Sequence, residues 1–334
     1  MIHTIEGILS NNAAKPRLVL GEAPEKVFGD VSEIVDALKT NTVIVKCRFD
    51  RDFFSGLTTE QKQAILEQCA QIKTLTRVHL LASSVQVSLV SKVLEDCSGL
   101  EVFELGHTSL EGSPADFQKL NESLKNHTSL KEFVLTNFTV PDGVTLDDIV
   151  KTLGSISTLD IVKLACKGSD AHFTGASLGP LAASPTLRQL HLSEFDLIQE
   201  HADMIATAVE NTANLKDLSL TRVGLDDEMC VKLGSAIGKN KTLERLDLSS
   251  NLISDDGCVA LADGMKANSS LVFVRLWGNK GIGVGGFSAL ASMLEQNTTL
   301  ERLETPLEGD SSVRVKMDEC LNKNRENNHS AIAA

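Results

Sequence analysis

Gly281-Ile282-Gly283-Val284-Gly285-Gly286 is the stretch of this sequence that comes closest to spelling a cofactor site. It fits G-x-G-x-x-G, follows an expected strand and opens an expected helix, with Glu301 and Glu304 about 20 residues on, as in a dinucleotide fingerprint. A repeat register explains each of these elements. The segment aligns with Ser254 to Gly257 one unit earlier, an ordinary loop, and its helix joins a solenoid rather than a doubly wound sheet. No G-x-x-x-x-G-K-[ST], C-x-x-C or H-E-x-x-H is present, so no ATPase module and no metal site can be argued. His79 and His191 fall on strand positions expected to face solvent, far apart in repeat number and with no nucleophile placed beside them. No catalytic, cofactor-binding or metal-ligating residue is expected, and the chain reads as a non-enzyme without a small-molecule cofactor.

The remaining chemistry is that of an interface. Trp277 is the single tryptophan, and there is no tyrosine. Phe273, Arg275 and Trp277 share one expected strand, with Arg245 and Asp247 on one neighbouring strand and Arg302 on the other. Aromatics ringed by polar groups, with Trp and Arg prominent, are the residue types that dominate interface energetics. A blander arrangement uses the same residues: Trp277 packs across its own strand, Phe273 is a chance exposure, and Arg245 and Arg302 pair with Asp247 and Glu304. A weaker apolar run, Val102, Val134 and Ile161, is expected midway along the same surface.

These positions follow from a period. Leu159, Leu187, Leu215, Leu243 and Leu271 recur every 28 residues, each opening Leu-x-x-Leu-x-Leu or a close variant, most clearly in Leu243-Glu244-Arg245-Leu246-Asp247-Leu248-Ser249-Ser250-Asn251-Leu252-Ile253. Leu300 extends the series forward, and Leu130, Leu100, Leu75 and Ile44 extend it backward with looser spacing, giving ten anchors. Leu18 and Leu20, with Val31 to Leu38 as helix, are a candidate eleventh. Each unit is too small to bury a core alone, so stacked units share one. Strand alternation turns the repeat leucines inward and the residues between them outward. The second half of each unit carries an i, i+4 apolar stripe, as in Leu261 with Met265 and Leu233 with Ile237. Small residues beside the first leucine leave room for close helix packing. Asp226, Ser254 and Asp255 stand at helix starts, and Asn240, Asn268 and Asn297 at helix ends, where a left-handed residue is expected.

Repeats of 28 to 29 residues with an α-helix resemble the ribonuclease-inhibitor subclass of leucine-rich repeats, shared by that inhibitor, the Ran GTPase-activating protein, the NOD-like receptors and tropomodulin. The stretches 236–253 and 294–300 look especially like tropomodulin repeats. The resemblance implies an α/β horseshoe solenoid, its parallel β-sheet on the concave side and α-helices on the convex side. It also implies a non-enzymatic scaffold or adaptor that binds a protein on the concave face. The alternatives it leaves are a GTPase regulator like the Ran GTPase-activating protein, an inhibitor, or an actin-capping protein like tropomodulin. The Ran regulator's acidic tail, the inhibitor's many cysteines and tropomodulin's binding arm are not matched here.

Residues 1–40 are expected to form a cap or degenerate repeat, 41–310 the repeats, and 311–334 a capping helix, Val313 to Asn324, with a loose tail. A net charge of -13 argues against nucleic acid as the main ligand and permits a basic partner. Without a recognisable signal peptide or membrane-length apolar run, the chain is expected to be cytoplasmic, with six N-x-[ST] sequons left without meaning. Seven irregularly spaced cysteines fit reduced thiols. Cys230 and Cys258 sit on neighbouring helices about 10 Å apart, beyond the reach of a disulfide at about 7 Å.

Leu246→Ala should remove about 2 to 5 kcal/mol of stability through a cavity in the shared core. Hydrogen exchange should rise first in the units next to Leu246; a uniform rise along all repeats would contradict nearest-neighbour coupling.

Overall fold

The protein, here a computed structural model, is described over residues 17–20, 31–82, 84–166, 175–306 and 311–333. It divides into two units, Met1–Phe173 and Thr174–Ala334. Each is a stretch of leucine-rich-repeat α/β solenoid, with parallel strands alternating with helices.

The first unit runs β1 (Arg17–Leu20), α1 (Val31–Lys39), β2 (Lys46–Phe49), α2 (Arg51–Ser55), α3 (Thr59–Ala70), β3 (Arg77–Leu81), β4 (Ser84–Gln86), α4 (Val87–Asp96), β5 (Val102–Gly106), β6 (Ser109–Glu111), α5 (Pro114–Lys125), β7 (Glu132–Phe138), α6 (Asp147–Ser155) and β8 (Ile161–Cys166). Its sheet has the order β1-β2-β3-β5-β7-β8, and β4 pairs with β6 beside it. Alternation buries Leu18, Leu20, Cys47, Phe49, Val78, Leu80, Phe103 and Leu105. Phenylalanines fill this core. Phe49 lies 5.9 Å from Phe53 and 5.3 Å from Phe54, centroid to centroid, and Phe103 lies 6.3 Å from Phe133. Capping boxes start α3 at Thr58 with Gln61 and α5 at Ser113 with Asp116; Pro114 opens α5.

The second unit runs α7 (Leu178–Ala182), β9 (Gln189–Ser193), α8 (Gln199–Asn211), β10 (Asp217–Thr221), α9 (Asp227–Lys239), β11 (Arg245–Asp247), α10 (Asp255–Met265), β12 (Phe273–Arg275), α11 (Val284–Leu294), β13 (Arg302–Glu304) and α12 (Ser311–Ala333). Strands β9 to β13 pair in parallel in chain order, with Asp217 opposite Arg245, Arg245 opposite Phe273, and Phe273 opposite Arg302. Leu246 and Leu248 are 1% and 0% exposed, which fixes the inward face. Small residues give the expected close packing: a Cβ on Gly264 would collide with the carbonyl oxygen of Gly234 one helix away.

Asparagines tie these repeats together, though not as left-handed caps. Asn240 has φ -65° and ψ 141°, an extended conformation. Its buried side chain supplies the bonds instead. The amide nitrogen donates to Val209 O at 2.6 Å, and the amide oxygen accepts from the backbone N–H of Thr242 and Leu243. Asn268 donates to Ile237 O and Asn240 O, and accepts from Ser270 and Leu271. Asn297 donates to Met265 O and Asn268 O, and Asn324 of α12 donates to Asn297 O and Leu300 O. A second series lies near the strand ends. Asn251 accepts from Val223 and Leu225, and Asn279 accepts from Asn251 and Ile253, each 28 residues on. These side chains replace the ladder partners that short strands and loops leave unsatisfied.

Helix starts are shared between repeats as well. Asp227 accepts from the backbone of Ser254 and Gly257 and from the Ser254 hydroxyl, so Ser254 caps through its neighbour rather than alone. Left-handed residues stand at strand exits instead: Glu194, Arg222, Ser250 and Gly278, each 28 apart, with His107 and Asn137 in the first unit. The expected loose tail from Arg325 is helical as far as Ala333. Arg325 donates to Glu301 O and Asn328 to Thr299 O, which holds α12 against the last strand.

Asn268→Ala strands two buried carbonyls, the buried N–H of Leu271 and the half-buried N–H of Ser270, and should cost about 3 kcal/mol. Asn211→Ala, at an exposed helix site, should change the urea midpoint little. Similar midpoints for the two variants would refute a bridging role for the buried asparagine.

Candidate protein interface

Two rows of outward side chains cross β11, β12 and β13. One row places Phe273 between Arg245 and Arg302; the next places Arg275 between Asp247 and Glu304. The guanidinium carbons of Arg245, Arg275 and Arg302 lie 4.5, 5.1 and 5.3 Å from the Phe273 ring centre. This is cation–π geometry. Phe273 is therefore only 6% exposed: it is outward-facing, as its strand position requires, but roofed by arginine.

The arginines are held by carboxylates. Arg275 Nη1 reaches Asp247 Oδ2 at 3.0 Å, and both Arg275 and Arg302 bind Glu304. Arg245 pairs with Asp217 at 3.3 Å rather than with Asp247. The hydrogen bond from Arg275, with that from Arg302, holds the Glu304 carboxyl below the usual glutamate range, while Glu304 raises Arg275 further. The bonds leave Arg245 and Arg302 more than half exposed at their side chains.

Trp277 lies two residues past β12 rather than within it, and its carbonyl accepts from Ser250 N at 2.7 Å. The indole is 55% exposed. It borders a cleft of about 400 Å³ closed by Leu303, Glu304 and Thr305 on one side and Arg314, Met317, Asp318 and Leu321 of α12 on the other. The α12 residues are absent from the sequence-level site. Their spacing, 314, 317, 318 and 321, is the signal: one helical face turned to the last strand. The second apolar run does not form an exposed strip, since Val102 and Val134 are each 8% exposed.

The other candidates resolve into structure. The three glycine N–H groups that resembled a pyrophosphate cradle, those of Gly283, Gly285 and Gly286, are occupied by the Asp255 carboxylate from the repeat before. These bonds depress its carboxyl pKa. His79 and His191 are half-buried rather than solvated, and each faces a carboxylate on the next strand, Glu104 and Asp217. All seven cysteines are thiols, six of them buried. Burial pushes Cys97 and Cys258 up to about 12 and Cys230 higher still, far from reactive thiolates. Among the described residues no group of three His, Cys, Asp or Glu side chains could hold a metal ion, and no helix is long and apolar enough to cross a membrane.

Residues 181–327 match the family described as the TMOD/LMOD leucine-rich domain. Solved structures to which the chain aligns include one described as Leiomodin-1 Actin-Binding Site 2, 22% identical over 45% of this chain and 88% of that one, with a TM-score of 0.42. The tropomodulin C-terminal domain of Caenorhabditis elegans is 16% identical over 48% of this chain and 98% of that one, with a TM-score of 0.44. A chain of the yeast Rad7 and Elc1 complex is 14% identical over 93% of this chain and 81% of that one, with a TM-score of 0.52. No curated protein matches the chain. The fold is that of a leucine-rich repeat solenoid, and the family match falls within its second unit.

Because the folded-state pKa of Glu304 is depressed, its ion pairs contribute stability above the unfolded glutamate pKa, lost as pH falls through the folded value. Glu304→Gln should therefore lower the melting temperature at neutral pH and narrow the gap to wild type as the medium is acidified. A gap constant from neutral to acid pH would show that the carboxylate is not held by these arginines.

Proposed function

We propose that this chain is a non-enzymatic, cytoplasmic protein-interaction module whose second unit binds its partner at a site built from Trp277, Phe273, Arg245, Asp247, Arg275 and Arg302. The observation that supports it is the exposed indole of Trp277 at the mouth of the α12 cleft, beside a ring of ion-paired arginines. An indole left in water loses the apolar burial that a partner would restore. The arginines are already fixed by carboxylates, so they lose little side-chain freedom on binding. Phe273 supports the arginines from below and makes no direct contact until they move.

A second reading, that actin is the partner, draws on the match of residues 181–327 to the TMOD/LMOD leucine-rich domain. It accords with the tropomodulin-like repeats around Leu243 and Leu300. A partner identified by affinity capture from native extract, and filamentous actin as the first purified candidate, provide the assay. Trp277→Ala should weaken binding by at least about tenfold, as expected of a hot-spot aromatic, while the melting temperature stays within about 1 °C of wild type. Early unfolding would make Trp277 a core residue, and unaltered affinity would remove it from the interface.

A further inference from the structure

The sheet face of the first unit carries a different kind of surface. Parallel register sets Arg17 opposite Lys46 and Lys46 opposite Arg77, so three cations line up across β1, β2 and β3. Neighbouring strands are about 4.8 Å apart. Like charges placed directly opposite in a sheet destabilise it. Elsewhere on the sheet faces the cations have partners: Lys163 has Glu132, His191 has Asp217, Arg245 has Asp217, and Arg275 has Asp247 and Glu304. In the adjacent row Arg48 has Asp50, and His79 has Glu104. Among the described residues, Arg17, Lys46 and Arg77 have no carboxylate within ion-pair distance. Burial lowers the pKa of Lys46, and Arg17, Arg48 and Arg77 lower it further, while Glu104, which is bound to His79, raises it in part. Arg17 and Arg77 are exposed.

We infer that the row formed by Arg17, Lys46 and Arg77 is a docking surface for a carboxylate-rich segment of a protein partner. The occupant follows from charge and spacing. Carboxylates three or four residues apart on a helix recur about every 5 to 6 Å, close to the pitch of the cation row. A short acidic segment meets only this row, whereas a long nucleic acid would also meet a chain of net charge -13. Binding removes the mutual repulsion of the three cations, which the free protein bears. This surface is separate from the Trp277 site and does not depend on it.

The test is fluorescence anisotropy of the full chain with a labelled peptide of repeated Glu-Ala-Ala-Glu units. Binding should be clear at low ionic strength and fade as salt rises. The double variant Lys46→Gln, Arg77→Gln should bind about tenfold more weakly, with a melting temperature equal to or above that of wild type. Arg302→Gln and Trp277→Ala should bind the peptide as wild type does, which separates failure here from failure of the other interface. Unchanged affinity in the double variant overturns the inference. So does a lowered melting temperature in it, which would make the row structural. Equal or tighter binding of a single-stranded oligonucleotide of the same charge overturns the choice of a protein partner.

Discussion

The second unit depends on buried asparagine side chains that bond two repeats at once. Short strands satisfy few of their own backbone groups. Strands β11, β12 and β13 have three residues each, so about half of a repeat lies outside strand and helix, and buried loop carries polar groups that must find partners. Asn240, Asn268, Asn297 and Asn324 supply them at one end of the strands, and Asn251 and Asn279 at the other. The leucines provide apolar burial, but hydrophobic contact is not directional. The asparagines set the phase of one repeat on the next. That phase then aligns Arg245, Phe273 and Arg302 in a single row.

The leucine period made the fold legible because burial follows it so closely: every anchor from Leu159 to Leu300 is buried. The asparagines were visible at the same spacing, yet their mechanism was not. A helix-end asparagine usually signals a left-handed backbone, and only coordinates show a side chain reaching carbonyls 28 to 32 residues back. The true left-handed positions were hidden for the complementary reason. Glu194, Arg222 and Ser250 have nothing in their chemistry to mark them, and only Gly278 looks the part. For the candidate site, row positions could be read from alternation. The roofing of Phe273 could not, because it depends on rotamers of three arginines on three strands. The cleft beside Trp277 was legible only in part: the spacing of 314, 317, 318 and 321 marks one face of α12, but not that this face folds back onto β13.

Charge on this protein is organised locally even though the sum is strongly negative. Ion pairs between neighbouring repeats, such as Lys216 with Glu244 at 2.9 Å and Lys239 with Glu210 at 3.0 Å, are exposed and contribute little each to stability. Their effect is to decide which side chains remain available. Where a strand offers a cation opposite a carboxylate, the pair closes. Where β1, β2 and β3 set only cations opposite one another, no carboxylate among the described residues closes the row. Composition alone does not distinguish the two cases, whereas register does.

The 28-residue spacing of Asn240 and Asn268, of Asn251 and Asn279, of Asp227 and Asp255, and of Ser250 and Gly278 has a consequence for how such a gene can change. All four series share one period, so a duplication or loss of a single full unit rejoins every series in phase. An insertion of one residue throws all of them out at once. The second unit is thus tolerant of copying and intolerant of slippage, and its length can evolve in whole steps without redesign of the joints. The first unit, where intervals between anchors vary from 25 to 31 residues and phenylalanine fills the irregular spaces, has given up that freedom. Its repeats are no longer interchangeable parts, and change there must proceed residue by residue.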